Sequence, residues 1–198
     1  PGWKANNDLY WVTWPEMTRT QLLPPSSGFV YAWWGENWSW ASDQLTMLYA
    51  HADGVGKLDA TTDKRQQILS FQPRATGNHR VWLPPLAARP LRDQLTTIAH
   101  QDGAFAVTVV GWRDGTTSTL PLMVDALSEL AWNAKGDTIA YTTPVSDVHV
   151  VQVARQSADR IWHIETSNTP RATGQSLIWG PDDKQILMTH DRELYLLD

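Results

Sequence analysis

Apolar residues along this chain come in short runs rich in Val, Ile, Leu, Tyr and Trp, broken at close intervals by polar clusters containing Asp, Asn, Gly or Pro. None of these runs is long enough for an ordinary helix, and several alternate like strands whose two faces pack differently. Four segments share one phrase: Ser39-Trp40-Ala41-Ser42-Asp43, Ala88-Arg89-Pro90-Leu91-Arg92-Asp93, Ala131-Trp132-Asn133-Ala134-Lys135-Gly136-Asp137 and Ile178-Trp179-Gly180-Pro181-Asp182-Asp183, each followed by an apolar run. Aligned on Trp40, Ala88, Trp132 and Trp179, the steps are 48, 44 and 47 residues. A period in the mid-forties, carried by short strands and tight turns, marks propeller blades. The pattern therefore predicts an all-β chain: a β-propeller of four-stranded antiparallel blades, about four repeat periods long.

The third full repeat shows the blade best. Its strands are expected at Leu127–Trp132, Thr138–Thr143, Val148–Val153 and Ile161–Thr166, with turns at 133–137 and 144–147, where Gly, Pro and polar residues accept turn dihedrals. In the first full repeat, Asp53–Asp59 supplies the third strand and the turn before it. The second departs from the pattern, with Ala88 in the tryptophan position and Pro90 in the turn, so an irregular blade is expected there. The resulting division is 1–28 (outer strands of a first, partial blade), 29–79 (blade), 80–122 (irregular blade), 123–169 (blade) and 170–198 (partial blade). Asp8-Leu9-Tyr10-Trp11-Val12 resembles Glu193-Leu194-Tyr195-Leu196-Leu197, and Leu9 and Leu194 stand 185 residues apart, four periods of about 46. An incomplete or partner-closed propeller is the expectation, because open strand edges invite pairing with another chain and so self-association.

Composition removes several function classes. The 198 residues carry a net charge of −5, and no basic stripe exists to neutralise a nucleic-acid backbone. No run approaches the roughly 18 apolar residues of a membrane span, so no membrane insertion is expected. Pro1-Gly2-Trp3-Lys4 opens no signal peptide, although an excised piece of an exported protein would begin after one. The absence of cysteine excludes disulfides, cysteine zinc sites and thiol catalysis, and leaves the compartment open. Tryptophan, at 12 residues, is far above the roughly three of average usage.

The stretches Leu130–Tyr141 and Leu177–Met188 resemble the W-S-P-D-G-K-x-I-A-F blade motif of the TolB-like, or WD40-like, propeller repeat family. Asn7–Val12 and Arg192–Asp198 are similar to that family's D-I-Y-V-M-D strand. The resemblance covers most of the chain and implies that the repeat tryptophans pack between blades while the P-D-G segment turns into the second strand. It also implies a bacterial, exported setting, periplasmic or extracellular. The family includes scaffold proteins and the propeller domains that precede prolyl-oligopeptidase-type hydrolase domains, so it does not choose between them.

Catalytic signals are weak. Gly174-Gln175-Ser176-Leu177-Ile178 lacks the second glycine of a nucleophile elbow and falls in a first strand. The many aspartates, among them Asp43, Asp93, Asp137 and Asp183, sit mostly in repeat turns, where Asp caps the local backbone. His51 and His190 lie 11 residues after their tryptophans and His100 lies 12 after Ala88, just past the second strand of three blades. A ring of imidazoles there could hold a metal or form a pH-sensitive contact; equally, successive repeats inherit polar strand ends, and second strands stand back from the axis. Asp53-Gly54-Val55-Gly56 and Asp182-Asp183 supply too few oxygens for a dedicated calcium site. No cofactor is called for.

The remaining lead is aromatic. Trp40, Trp132 and Trp179 belong to the repeat, whereas Tyr31, Trp33, Trp34 and Trp38 do not. Adjacent Trp33 and Trp34 point to opposite faces if extended, so at least one is expected at a blade edge or in solvent; Trp11 and Trp14 have similar status. Indoles so placed close an irregular blade interface, contact a protein, or stack on a sugar. The sequence thus points to a non-enzymatic, protein-binding scaffold. The alternatives are the propeller domain of a larger hydrolase and a carbohydrate-binding module.

Overall fold

Nineteen strands and no helix make up the described part of the chain, which in this computed structural model comprises residues 9–12, 14–23, 38–51, 54–62, 64–71, 75–76, 80–81, 84–146, 148–156, 162–166, 177–190 and 193–197. Blade 1 is the antiparallel sheet β3 (Trp38–Trp40), β4 (Thr46–His51), β5 (Gly54–Asp59) and β6 (Lys64–Ser70). Blade 2 follows as β9 (Leu86–Arg89), β10 (Gln94–Gln101), β11 (Ala104–Gly111) and β12 (Thr117–Leu120). Blade 3 is β13 (Leu130–Trp132), β14 (Thr138–Val145), β15 (Val148–Gln156) and β16 (Trp162–Thr166). Blade 4 has three described strands, β17 (Leu177–Trp179), β18 (Ile186–His190) and β19 (Glu193–Leu197). Two short antiparallel pairs stand apart: β1 (Leu9–Val12) with β2 (Arg19–Leu23), and β7 (Ala75–Thr76) with β8 (Arg80–Val81). Each blade is a meander, and the first strands β3, β9, β13 and β17 neighbour one another in that order.

The repeat alignment assigns each position to a face. Seven and nine residues after the reference position, Ile139 and Tyr141 of blade 3 pack toward blade 2, and Ile186 and Met188 of blade 4 pack toward blade 3. Eight residues after it, Leu48 faces blade 2 and Ala140 faces blade 4. This is strand alternation applied to a stack of sheets, and it yields one apolar core per blade interface. Leu48, Leu58, Ile98, Val107, Val110, Ile139 and Met188 are all fully buried, each worth about 1.5–3 kcal/mol of transfer free energy.

The repeat tryptophans lock those interfaces. Trp132 Nε1 donates to Thr96 Oγ1 of blade 2 (2.9 Å), and Trp179 Nε1 donates to the Ala131 carbonyl of blade 3 (3.0 Å). Blade 2 pairs without interruption, β10 with β11 from Gln94↔Gly111 to Gln101↔Ala104. Its departure at Ala88 is therefore one of side chains: the large ring in the core between blades 1 and 2 is Trp112, which follows β11. In blade 3 the expected turn at 144–147 is shorter, because Pro144 pairs with His149 and Val145 with Val148. Proline is accepted there because β13 flanks β14 only at Ile139–Tyr141, so no ladder partner needs the missing N–H.

Some turn aspartates do more than cap their own turn. Asp43 accepts from the Leu45 and Thr46 N–H groups, as expected. Asp93, by contrast, accepts from Ser42 Oγ of blade 1 (2.9 Å), and Asp183 accepts from the Ala134 N–H of blade 3 (2.9 Å). Arg89 reaches the Gly136 carbonyl in the same way (2.6 Å), so the first turns of all four blades form a chain along one end of the stack.

One blade face stays open. On blade 4, Ile178, Leu194 and Leu196 are 54%, 68% and 60% exposed, although the corresponding faces of blades 1, 2 and 3 are covered by the next blade. The described sheets form an arc and do not close into a ring.

Candidate functional site

A meander puts its connections at two ends. One end carries the chained first turns; the other carries the hairpins between second and third strands and the entries into each first strand. The histidines singled out above gather at the second end. His51 is the last residue of β4 and pairs with Gly54, His190 is the last of β18 and pairs with Glu193, and His100 pairs with Phe105. His51 and His190 occupy the final rungs of their second strands and His100 the last but one, rather than the loops beyond them. The His100 ring packs 4.9 Å from that of Phe105, and its buried Nδ1 has no hydrogen-bond partner among the described residues. The side chains of His51 and His190 lie outside the described residues. Among the described residues, no group of three or more His, Asp or Glu stands close enough to hold a metal ion. Asp53 is not described, and one oxygen of Asp183 is already held by the blade 3 turn.

Of the aromatic candidates, Tyr31, Trp33 and Trp34 lie outside the described residues. Trp38 opens β3 opposite Tyr49, so it sits at the same end as His51, and it is 39% exposed. Trp14, at 84% exposed, lies in the segment between β1 and β2.

This end also holds a feature that sequence reasoning missed. His149, at the start of β15 and only 8% exposed, makes a 2.8 Å hydrogen bond through Nε2 to Asp125 Oδ1, in the loop joining blades 2 and 3. The same oxygen accepts from the Leu127 N–H (2.8 Å), while Ser128 Oγ accepts from the Asp125 N–H (3.0 Å). Burial on its own would raise the Asp125 pKa; the hydrogen bonds from His149 and the Leu127 N–H outweigh it and hold the carboxyl below its usual value. A turn at Asp125–Ser128 is legible in the sequence, since Asp and Ser commonly bond the backbone two or three residues on. Its partner, 24 residues away, is not.

The pinned loop presents apolar side chains to solvent. Met123 is 69% exposed and Leu127 46%, and Val145, on the β14–β15 hairpin just before His149, is 48% exposed. Between the first strands of the blades runs a cavity of about 460 Å³, bordered by Ser39, Ala88, Glu129, Ala131 and Ile178 and reaching the first turns at Ala134 and Pro181. Glu129 is 6% exposed, and its backbone continues the pairing of β13 through the Thr142 N–H. Loop and hairpin thus leave three apolar side chains in solvent at this end.

No family model and no curated protein sequence matches the chain. Solved structures do match it. TolB from Acinetobacter baumannii aligns with 96% of this chain and 45% of its own, at 12% identity and a TM-score of 0.67. A chain of the mitotic checkpoint complex aligns over 96% and 54%, at 16% identity and 0.65. A TolB-type protein from Agrobacterium tumefaciens aligns over 96% and 65%, at 11% identity and 0.62. At these identities the likeness establishes the β-propeller fold. The chain spans about half the length of the first two and 65% of the third.

Proposed function

We propose that this chain is a non-catalytic, TolB-like propeller that binds a protein partner at the end where the second–third hairpins emerge. The observation that carries the reading is the apolar set Met123, Leu127 and Val145, held in place by the Asp125–His149 hydrogen bond. A loop backbone fixed beforehand loses little conformational entropy on docking, and the apolar side chains it carries stabilise a complex by leaving water. A similar propeller occurs in the mitotic checkpoint complex, which supports a protein as the ligand class.

Affinity capture with three forms of the chain tests this: the wild type, Met123→Glu/Leu127→Glu, and Leu91→Glu as a control at the opposite end, where Leu91 is 81% exposed. A partner retained by the wild type and the control but lost by the double variant is the expected outcome. Capture that is indifferent to Met123 and Leu127 would overturn the assignment. The open face of blade 4 supports a second contact, self-association through Ile178, Leu194 and Leu196.

A further inference from the structure

At the opposite end, where blades 1 and 2 meet, lies a second cavity of about 550 Å³ with a different character. Cross-strand pairing places Thr46, Asp59 and Lys64 in one row of the blade 1 sheet, with Lys57 and Gln66 in the next, all on the face toward blade 2. The turn after β11 closes the cavity with Trp112. This ring is flanked by two cations, the Arg113 guanidinium carbon 4.2 Å and Lys57 Nζ 5.9 Å from its centroid. Lys57 Nζ is also tied to the Trp112 carbonyl (2.9 Å). Trp112 is 3% exposed, and its buried Nε1–H has no acceptor among the described residues. A buried donor left unmade costs about 1–3 kcal/mol, which makes it a mark of a missing partner.

Charge at the cavity is biased although the chain as a whole is acidic. Lys57 and Lys64 lie on the face toward it against one bordering carboxylate, Asp59, while Arg65 pairs with Leu58 and so belongs to the other face of the sheet. One oxygen of that carboxylate, Oδ1, accepts from the Thr61 N–H, the Thr61 hydroxyl and the Thr62 N–H, which keep the group ionised and leave the two ammonium groups one charge in excess. Arg113 is engaged with Asp93 (2.8 Å) and, more distantly, Asp43 (3.8 Å). The cavity volume falls within the range usual for small-molecule sites.

We infer that this cavity binds a small organic anion, whose carboxylate or phosphate oxygens accept from the Trp112 indole N–H and the ammonium groups of Lys57 and Lys64. Because Nε1 is buried, the anion reaches it only when a side chain beside the ring moves, and Lys57, on a flexible four-carbon stem, is such a neighbour. The site is separate from the apolar face proposed for the protein partner and does not depend on it.

The test follows the indole ¹H–¹⁵N resonances of the full chain, with that of Trp112 identified by its loss in Trp112→Phe. Inorganic phosphate and succinate are titrated separately, with sodium chloride at matched ionic strength as the control. A saturable shift of the Trp112 resonance with either anion, not reproduced by chloride, is expected, and the anion that acts distinguishes phosphate from carboxylate ligands. Lys64→Ala, an exposed position, should weaken that binding about tenfold or more, the loss of one charge-assisted hydrogen bond. Calorimetric titration of Lys64→Ala against wild type gives the same comparison should Trp112→Phe fail to fold. A Trp112 resonance unmoved by both anions at about 50 mM, far above a millimolar Kd, overturns the inference. So does an affinity unchanged in Lys64→Ala.

Discussion

The hydrogen bond from Trp132 to Thr96 offers the sharpest test of how the blades hold together. It joins two side chains 36 residues apart, 8% and 0% exposed, across the interface of blades 2 and 3. Trp132→Phe keeps an aromatic ring beneath Arg89, whose guanidinium carbon lies 4.5 Å from the indole, but removes the donor. The Thr96 hydroxyl is then buried without its partner, at about 1–3 kcal/mol, and the lost ring atoms add about 1–2 kcal/mol. Thr96→Val leaves the indole N–H orphaned instead, at about 1–2 kcal/mol. In the double variant no polar group is stranded, so its loss should fall short of the summed single losses by about 1 kcal/mol or more. Urea unfolding followed by far-ultraviolet circular dichroism, read as midpoint shifts at constant slope, measures all four corners of the cycle. Losses that simply add, within about 0.3–0.5 kcal/mol, would refute the claim that this bond couples the blades.

Gly136 and Gly115 both have positive φ, +66° and +71°, but only at Gly136 would a Cβ meet a neighbouring blade, 2.5 Å from the Pro90 carbonyl oxygen. Alanine at Gly115 should therefore cost only the left-handed backbone term of about 1–2 kcal/mol, and alanine at Gly136 clearly more; equal losses in thermal melts would contradict the contact between turns. Leu194→Ser/Leu196→Ser should abolish any concentration-dependent association seen by analytical ultracentrifugation, and a wild-type chain that stays monomeric at high concentration would rule out the open face as a contact. Because the Asp125 carboxyl has a folded pKa below its unfolded value of about 3.9, its contribution is full above that pH and is lost as pH falls through the folded value. The stability gap between wild type and Asp125→Ala should thus be constant near neutrality and close below about pH 4. A gap that persists in acid would mean that the carboxylate charge is not what matters.

Much of the architecture could be read along the chain. The spacing of Trp40, Trp132 and Trp179 marks first strands in the structure, and Asp102-Gly103 forms the two-residue turn between β10 and β11, with positive φ at both residues. Three strands of blade 3 appear where the pattern put them, β14 lengthened to Val145 by the tighter hairpin and β15 running on to Gln156; the first, expected from Leu127, starts only at Leu130 because residues 125–128 form a turn. The site was far less legible. Trp38 was singled out and is 39% exposed at the end proposed to bind a partner, but the Asp125–His149 bond and the uncovered Met123, Leu127 and Val145 carry no periodic signal. Trp112 was not singled out in the sequence; its burial in the core between blades 1 and 2, with Lys57 and Arg113 near the ring, depends on residues tens of positions away.

Strand period, turn position and the face of each side chain are local consequences of backbone geometry, so a repeated phrase determines them wherever it occurs. Which faces are covered, which carboxylates reach a neighbouring blade and which donor is left without an acceptor depend on how whole sheets stack. Those contacts join residues tens of positions apart, and only the packed blades bring them within bonding distance.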